Sequence, residues 1–174
     1  MEELRPDSPH DWADRHVERW RDQWTGIRFD DETEAITVRL DRIRRHLKQC
    51  TRRAVEVAGL QIHEYETLHH LIVRDTPGLA APSALAADLG VSAAGMTGRL
   101  DVLERSGWVR RSPVAGDRRR VDIEVTEDGL AVWKRAMALR GQAEDELFGV
   151  LTDQDRTRLA SLLKQLTLHI EGAG

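Results

Sequence analysis

The sequence predicts a mainly α-helical protein carrying one small β-hairpin. Three observations carry that reading. Residues 82–105 hold two short apolar-periodic segments separated by a single glycine, Gly90. Two strand-like runs rich in arginine follow at once, WVRRS and DRRRVDIEVT, joined by PVAG. Outside this region the apolar residues recur at helical spacing on both sides, which calls for long amphipathic helices rather than sheets.

The segment from Pro82 to Thr126 organises the rest of the chain. PSALAADL begins with proline at a first-turn position and repeats Leu85, Ala86 and Leu89 on one face. Gly90 stops that helix where a left-handed residue is needed, and Ser92 restarts the next as N-cap. Met96, Leu100 and Leu103 then form one apolar stripe, while Ala93, Ala94, Thr97 and Gly98 make the opposite face small enough for another molecule to approach. Gly107 ends the helix, and the hairpin strand alternates Val121, Ile123 and Val125 against Asp122 and Glu124. Two helices with a tight turn followed by a basic hairpin make a winged helix-turn-helix. Between Ser92 and Arg120 there are seven Lys/Arg and three Asp/Glu, in a chain of net charge −4. A basic island in an acidic protein is an electrostatic footprint for phosphate.

The flanks read as follows. Ser8-Pro9 opens a first helix, with Ser8 as cap, Pro9 at the first position and Asp11 at the third, running to Trp24 and ending at Thr25-Gly26. Val17, Trp20 and Trp24 share a face, and residues 1–35 carry eleven Asp/Glu against five Lys/Arg. A helix this short is marginal alone, so its tryptophan face must dock, as extra core or as the wall of a ligand site. A second helix spans about Glu32 to Ala58, where Ile36, Leu40, Ile43, Leu47, Cys50, Ala54 and Val57 keep a heptad seam that demands a partner helix. A third covers Gln61 to Arg74, with Tyr65, Leu68 and Ile72 on one face and His63, Glu66 and His70 beside it, followed by the turn Asp75-Thr76-Pro77-Gly78. The histidine spacing admits a metal, although polar surface or a hydrogen-bonded cluster accounts for it as well. After the wing, Thr126 caps a long helix to about Val150. Thr152 and Asp155 then open a last one with the stripe Leu159, Leu162, Leu163, Leu166 and Ile170.

The run LAADLGVSAAGMTGRLDVLERSGWVRRSPVAGDRRRVDIEVTEDG resembles the multiple antibiotic resistance regulator (MarR) family of bacterial transcription factors. The matching parts are Leu85-Ala86, Arg99, Leu103-Glu104, Gly107, Arg111, Asp117-Arg118-Arg119 and Val125-Thr126-Glu127, and the likeness extends over roughly Leu40 to Ile170. Ala81 stands where that family usually has a polar cap. The resemblance implies that terminal helices of two subunits interleave, with two winged lobes below. It also implies that Arg119 reaches a minor groove while Asp117 steadies the wing tip. The N-terminal helix with Trp20, and GMTGRLDVLE with Arg99, are similar to the urate-responsive subgroup. Glu66 keeps the acidic character of that subgroup's site, whereas Ala87 replaces its arginine.

These readings divide the chain into N-terminal dimerisation helices at 1–60, a winged DNA-binding lobe at 61–126 and C-terminal dimerisation helices at 127–174. The expected function is that of a ligand-responsive repressor binding a near-palindromic operator in double-stranded DNA as a homodimer. Ser92, Ala93, Ala94, Thr97, Arg99, Arg118, Arg119 and Arg120 are the expected DNA contacts, Asp117 the wing support, and Trp20 and Glu66 the expected effector residues. No phosphate-binding glycine loop, nucleophile elbow or zinc-protease motif occurs, so neither an enzyme nor a cofactor or metal is expected. A winged-helix protein-interaction module without DNA binding is the alternative. With 40% hydrophobic and 32% charged residues, one cysteine and no apolar run of membrane length, a cytoplasmic protein is expected.

Overall fold

The structure, a computed structural model, describes residues 10–21, 30–114 and 117–172, with the side chains of Val114 and of 117–119 outside that description. The elements run α1 (Trp12–Trp20), α2 (Asp31–Val57), α3 (Ile62–Ile72), β1 (Leu79–Ala80), α4 (Pro82–Asp88), α5 (Ala93–Arg105), β2 (Val109–Val114), β3 (Asp117–Val125), α6 (Glu127–Phe148) and α7 (Asp153–Gly172). The expected mainly helical fold with a small wing is what the chain adopts. Two compact units divide it, Met1–Gln49 and Cys50–Gly174. Ala54, Val55 and Ala58 at the end of α2, and Val132 and Ala136 in α6, are buried in the second unit.

In the first unit, α1 starts at Asp11 instead of Ser8. The Asp11 carboxylate accepts from the backbone N–H groups of Ala13 and Asp14, and Asp14 returns the bond to the Asp11 N–H, a reciprocal cap that Asp11 could not make from the third position. Ser8, Pro9 and Trp24 lie outside the described residues. The buried face is Ala13 and Val17, whereas Trp20 is 38% exposed. Polar pairs tie α1 to α2. Arg39 donates to Asp11 at 2.9 Å and to Asp14 at 2.6 Å, Arg21 pairs with Asp31, and His16 lies 3.2 Å from Glu34. The Arg42 guanidinium sits 5.8 Å from the Trp12 ring centroid. On the α2 seam Ile36, Leu40 and Ile43 remain exposed within one chain.

The second unit is built round α3. Leu68 and Leu71 are fully buried and pack with Leu85, Met96, Leu100, Leu103 and Ile123. Thr67 is also buried, its hydroxyl donating to the His63 carbonyl at 2.7 Å, so its polarity costs little. Between α4 and α5 the chain turns at Gly90, whose φ of 62° a side chain would resist. The sheet has the order β1-β3-β2, all antiparallel. β1 was not anticipated; Leu79 and Ala80 add to β3 opposite Glu124 and Ile123, directly after the expected 75–78 turn. Ile123 is fully buried but Val121 is 38% exposed, so the inward alternation fades towards the wing tip.

The N-terminus of α6 is fastened to the turn between α5 and β2. Thr126 caps α6 by accepting from the Gly129 N–H and donates its hydroxyl to the Gly107 carbonyl at 2.7 Å. Gly129 faces the Trp108 carbonyl so closely that an added Cβ would run into it. α7 buries no residue in a single chain; Leu162, Leu166 and Ile170 are at least half exposed.

Gly129→Ala is expected to cost about 1–3 kcal/mol, because backbone must shift to admit the methyl group. A lowered urea midpoint with an unchanged slope checks this. The Asp11 carboxyl is held down from 3.8 to about 2, chiefly by its hydrogen bond from Arg39 and then by the Asp14 N–H. A depressed carboxylate stabilises the fold above its ordinary value and stops doing so as pH falls through the lowered one. The α1–α2 pairing is therefore expected to persist at pH 4 and to fail as pH falls through about 2, read from the Asp11 carboxyl carbon shift.

Candidate nucleic-acid interface

The face α5 turns outward follows from what it buries. Met96, Leu100 and Leu103 are withdrawn to 1% exposure or less. With that stripe inside, helical geometry leaves Ser92, Ala93, Ala94, Thr97 and Gly98 exposed. The Ser92 side chain accepts from the Gly95 N–H at 3.1 Å and so caps the helix. Thr97 donates its hydroxyl to the Ala93 carbonyl at 2.9 Å, which leaves the oxygen lone pairs and the methyl group facing out. The first two turns thus form a shallow polar-and-methyl surface with no bulky side chain.

Arg99 is placed differently from the other expected contacts. Among the expected contacts whose side chains are described it is the least exposed, turned towards α3, with Nη1 3.8 Å from a Glu66 carboxylate oxygen. That nitrogen is buried and has no hydrogen-bond partner among the described residues. Arg99 and Glu66, expected to serve DNA and effector separately, are therefore brought together.

The wing is held by its own charges. Arg110 makes a two-pronged contact to Glu124 across the strands, at 2.8 and 2.7 Å, and Ser112 adds a third hydrogen bond to that carboxylate. These bonds keep the Glu124 carboxyl below its usual range, the arginine first and the serine second. Arg111 reaches from β2 back to α5, bonding Asp101 at 2.5 Å and Glu104 as well. The hydrogen bond to Asp101 is the main reason its guanidinium is held above the ordinary value. Of the seven basic residues counted in the sequence, Arg110 and Arg111 are thus engaged within the wing and its base, Arg99 lies beside Glu66, and Arg105 donates to the Asp101 carbonyl. Arg120 is exposed on β3, while the side chains of Asp117, Arg118 and Arg119 lie outside the described residues. The clamp from Arg111 to α5 was not foreseen from the sequence; opposite charges on either side of Gly107 were its only signal.

Among the described residues no three metal-ligating side chains converge, so His63, Glu66 and His70 form no metal site there. No described helix is long and apolar enough to cross a membrane.

Residues 58–120 match the model of the MarR family. The transcriptional regulator PecS of Dickeya dadantii is 29% identical over 150 residues, covering 85% of this chain and 90% of that protein. Among solved structures, YusO from Bacillus subtilis aligns with a TM-score of 0.70 at 19% identity, over 82% of this chain and 99% of that one. The S. aureus MepR structure in complex with DNA aligns with a TM-score of 0.60 at 20% identity, over 75% and 96%. The matched winged helix-turn-helix of residues 58–120, together with these relatives, makes the chain similar to the MarR family of winged helix-turn-helix transcriptional regulators.

Proposed function

We propose that this regulator is a homodimeric repressor that binds a near-palindromic operator in double-stranded DNA. The observation that carries the reading is the outward face of α5, where Ala93, Ala94, Thr97 and Gly98 are exposed while every large apolar side chain of its stripe is buried. A helix so faced fits a major groove closely, and Thr97 can meet a thymine methyl or a base edge. Arg118, Arg119 and Arg120 serve the backbone and the minor groove, with Asp117 supporting the tip; a guanidinium suits the negative potential of a narrow A·T-rich groove. Arg99, bound towards Glu66, acts from within the lobe and not on bases.

Dimerisation is supported by the exposed apolar residues of α2 and α7, Ile36, Leu40, Ile43, Leu162, Leu166 and Ile170, which no single chain covers. For the effector, the Nη1 of Arg99, buried beside Glu66 and without a hydrogen-bond partner among the described residues, favours a small anionic or aromatic ligand. The protein-interaction alternative has one observation in its favour, the internal pairing of Arg110 and Arg111.

Binding to DNA selected from a random pool separates the two readings. With six to ten phosphate contacts per dimer, affinity is expected to fall about 10³–10⁵-fold between 50 and 200 mM salt. Arg119→Ala is expected to flatten the salt slope by about one unit and relax A·T preference at the flanks. No selected DNA at low salt would favour the interaction module. In sedimentation the wild type is expected to be a dimer at micromolar concentration. Leu47→Asp is expected to dissociate it, since a buried unpaired carboxylate costs several kcal/mol, on the order of 3–5.

A further inference from the structure

A polar cluster joins α3 to α6 away from the proposed DNA face. Trp133 Nε1 on α6 donates to His69 Nδ1 on α3 at 3.2 Å. An indole N–H can only donate, so His69 Nδ1 carries a lone pair and the neutral ring keeps its proton on Nε2. Tyr65 stacks on the same imidazole, with centroids 5.4 Å apart and planes at 25°. The Tyr65 hydroxyl donates to the Met137 sulfur at 3.3 Å and accepts from Arg140 at 3.5 Å, and Arg140 is paired with Glu144 at 2.6 Å. His70 stands edge-on to His69 at 6.3 Å. The titratable and charged groups facing His69 are therefore Tyr65 and His70 from α3, and Arg140 with its partner Glu144 from α6. Among the described residues no carboxylate is paired with His69 itself.

We propose that His69 is a proton-operated latch between α3 and α6, holding Trp133 while neutral and releasing it when protonated. Protonation places one N–H against another, so the hydrogen bond is lost outright. It also sets a second cation beside Arg140, with no acid to receive it. Burial, and after it the charges of His70 and Arg140, keep His69 below the ordinary histidine value. The unfolded chain then binds more protons than the folded one below about pH 6.5. The latch is complete above that pH and is lost as pH falls through the lowered folded value. The same α3 carries Glu66 towards Arg99 on α5, so acid acting at His69 reaches the helix that supports the DNA-facing one. The latch does not depend on the operator or effector reading.

Two ring signals of the full-length protein test it by nuclear magnetic resonance between pH 7.5 and 5.0: the Trp133 indole N–H and the His69 imidazole. The expected result is one common midpoint below 6.5 for both. His69→Asn keeps an acceptor near the Nδ1 position and does not titrate, so the indole signal is expected to become pH-independent. Trp133→Phe removes the donor and keeps an aromatic ring, so His69 is expected to titrate at a higher pH than in the wild type. An indole signal that stays fixed while His69 titrates would overturn the latch. So would an unchanged indole titration in His69→Asn, or an unshifted His69 midpoint in Trp133→Phe. Should the asparagine variant fail to fold, the phenylalanine comparison decides alone.

Discussion

The burial of α3 is the constraint on which the winged lobe depends. Leu68 and Leu71 are without solvent contact, and each contributes about 1.5–3 kcal/mol relative to exposure. The larger consequence is geometric. One short helix, its first turn closed by the Glu64 carboxylate accepting from the Gln61 N–H, meets α4, α5, the sheet and α6 at once. Its faces are allotted accordingly: leucines to the core, Glu66 towards Arg99, and Tyr65 with His69 towards α6. A helix packed on so many sides transmits a disturbance on one side to the other, because close-packed interiors do not absorb strain locally.

Charge in the lobe is arranged in the same economical way. A count of arginines in the sequence overstates what is available to a phosphate, since Arg110 and Arg111 are matched by Glu124, Asp101 and Glu104. Exposed pairs of this kind contribute little stability individually. What Arg111 does is bind the base of the wing to the middle of α5, so that hairpin and helix keep one mutual orientation.

Much of this was legible in the sequence, and the reasons differ by element. α2 carried an apolar seam, α5 and α6 opened on the caps Ser92 and Thr126, and Gly90 and Gly107 marked the turns on either side of α5. The start of α1 was misplaced because Ser8-Pro9 and Asp11 through Asp14 are both competent caps, and only three-dimensional pairing with Arg39 distinguishes them. β1 is two residues long, too short for any periodicity to register. The direction of Arg99 was illegible because a long side chain beside a buried stripe can turn either way; the carboxylate of Glu66, thirty-three positions earlier, decides it. His69 escaped attention because Trp133 is remote in sequence, and the histidines at 63 and 70 suggested a different chemistry.

The outward face of α5 has a consequence for the history of such a protein. Ala93, Ala94, Thr97 and Gly98 project away from the core. Substitutions at exposed positions of this kind usually change stability by no more than about 0.5 kcal/mol. On the proposed function, folding and reading fall to opposite sides of one helix. A lineage of such a protein could then exchange the outward side chains one at a time and drift to new target sequences, while Met96, Leu100 and Leu103 go on holding the same lobe together.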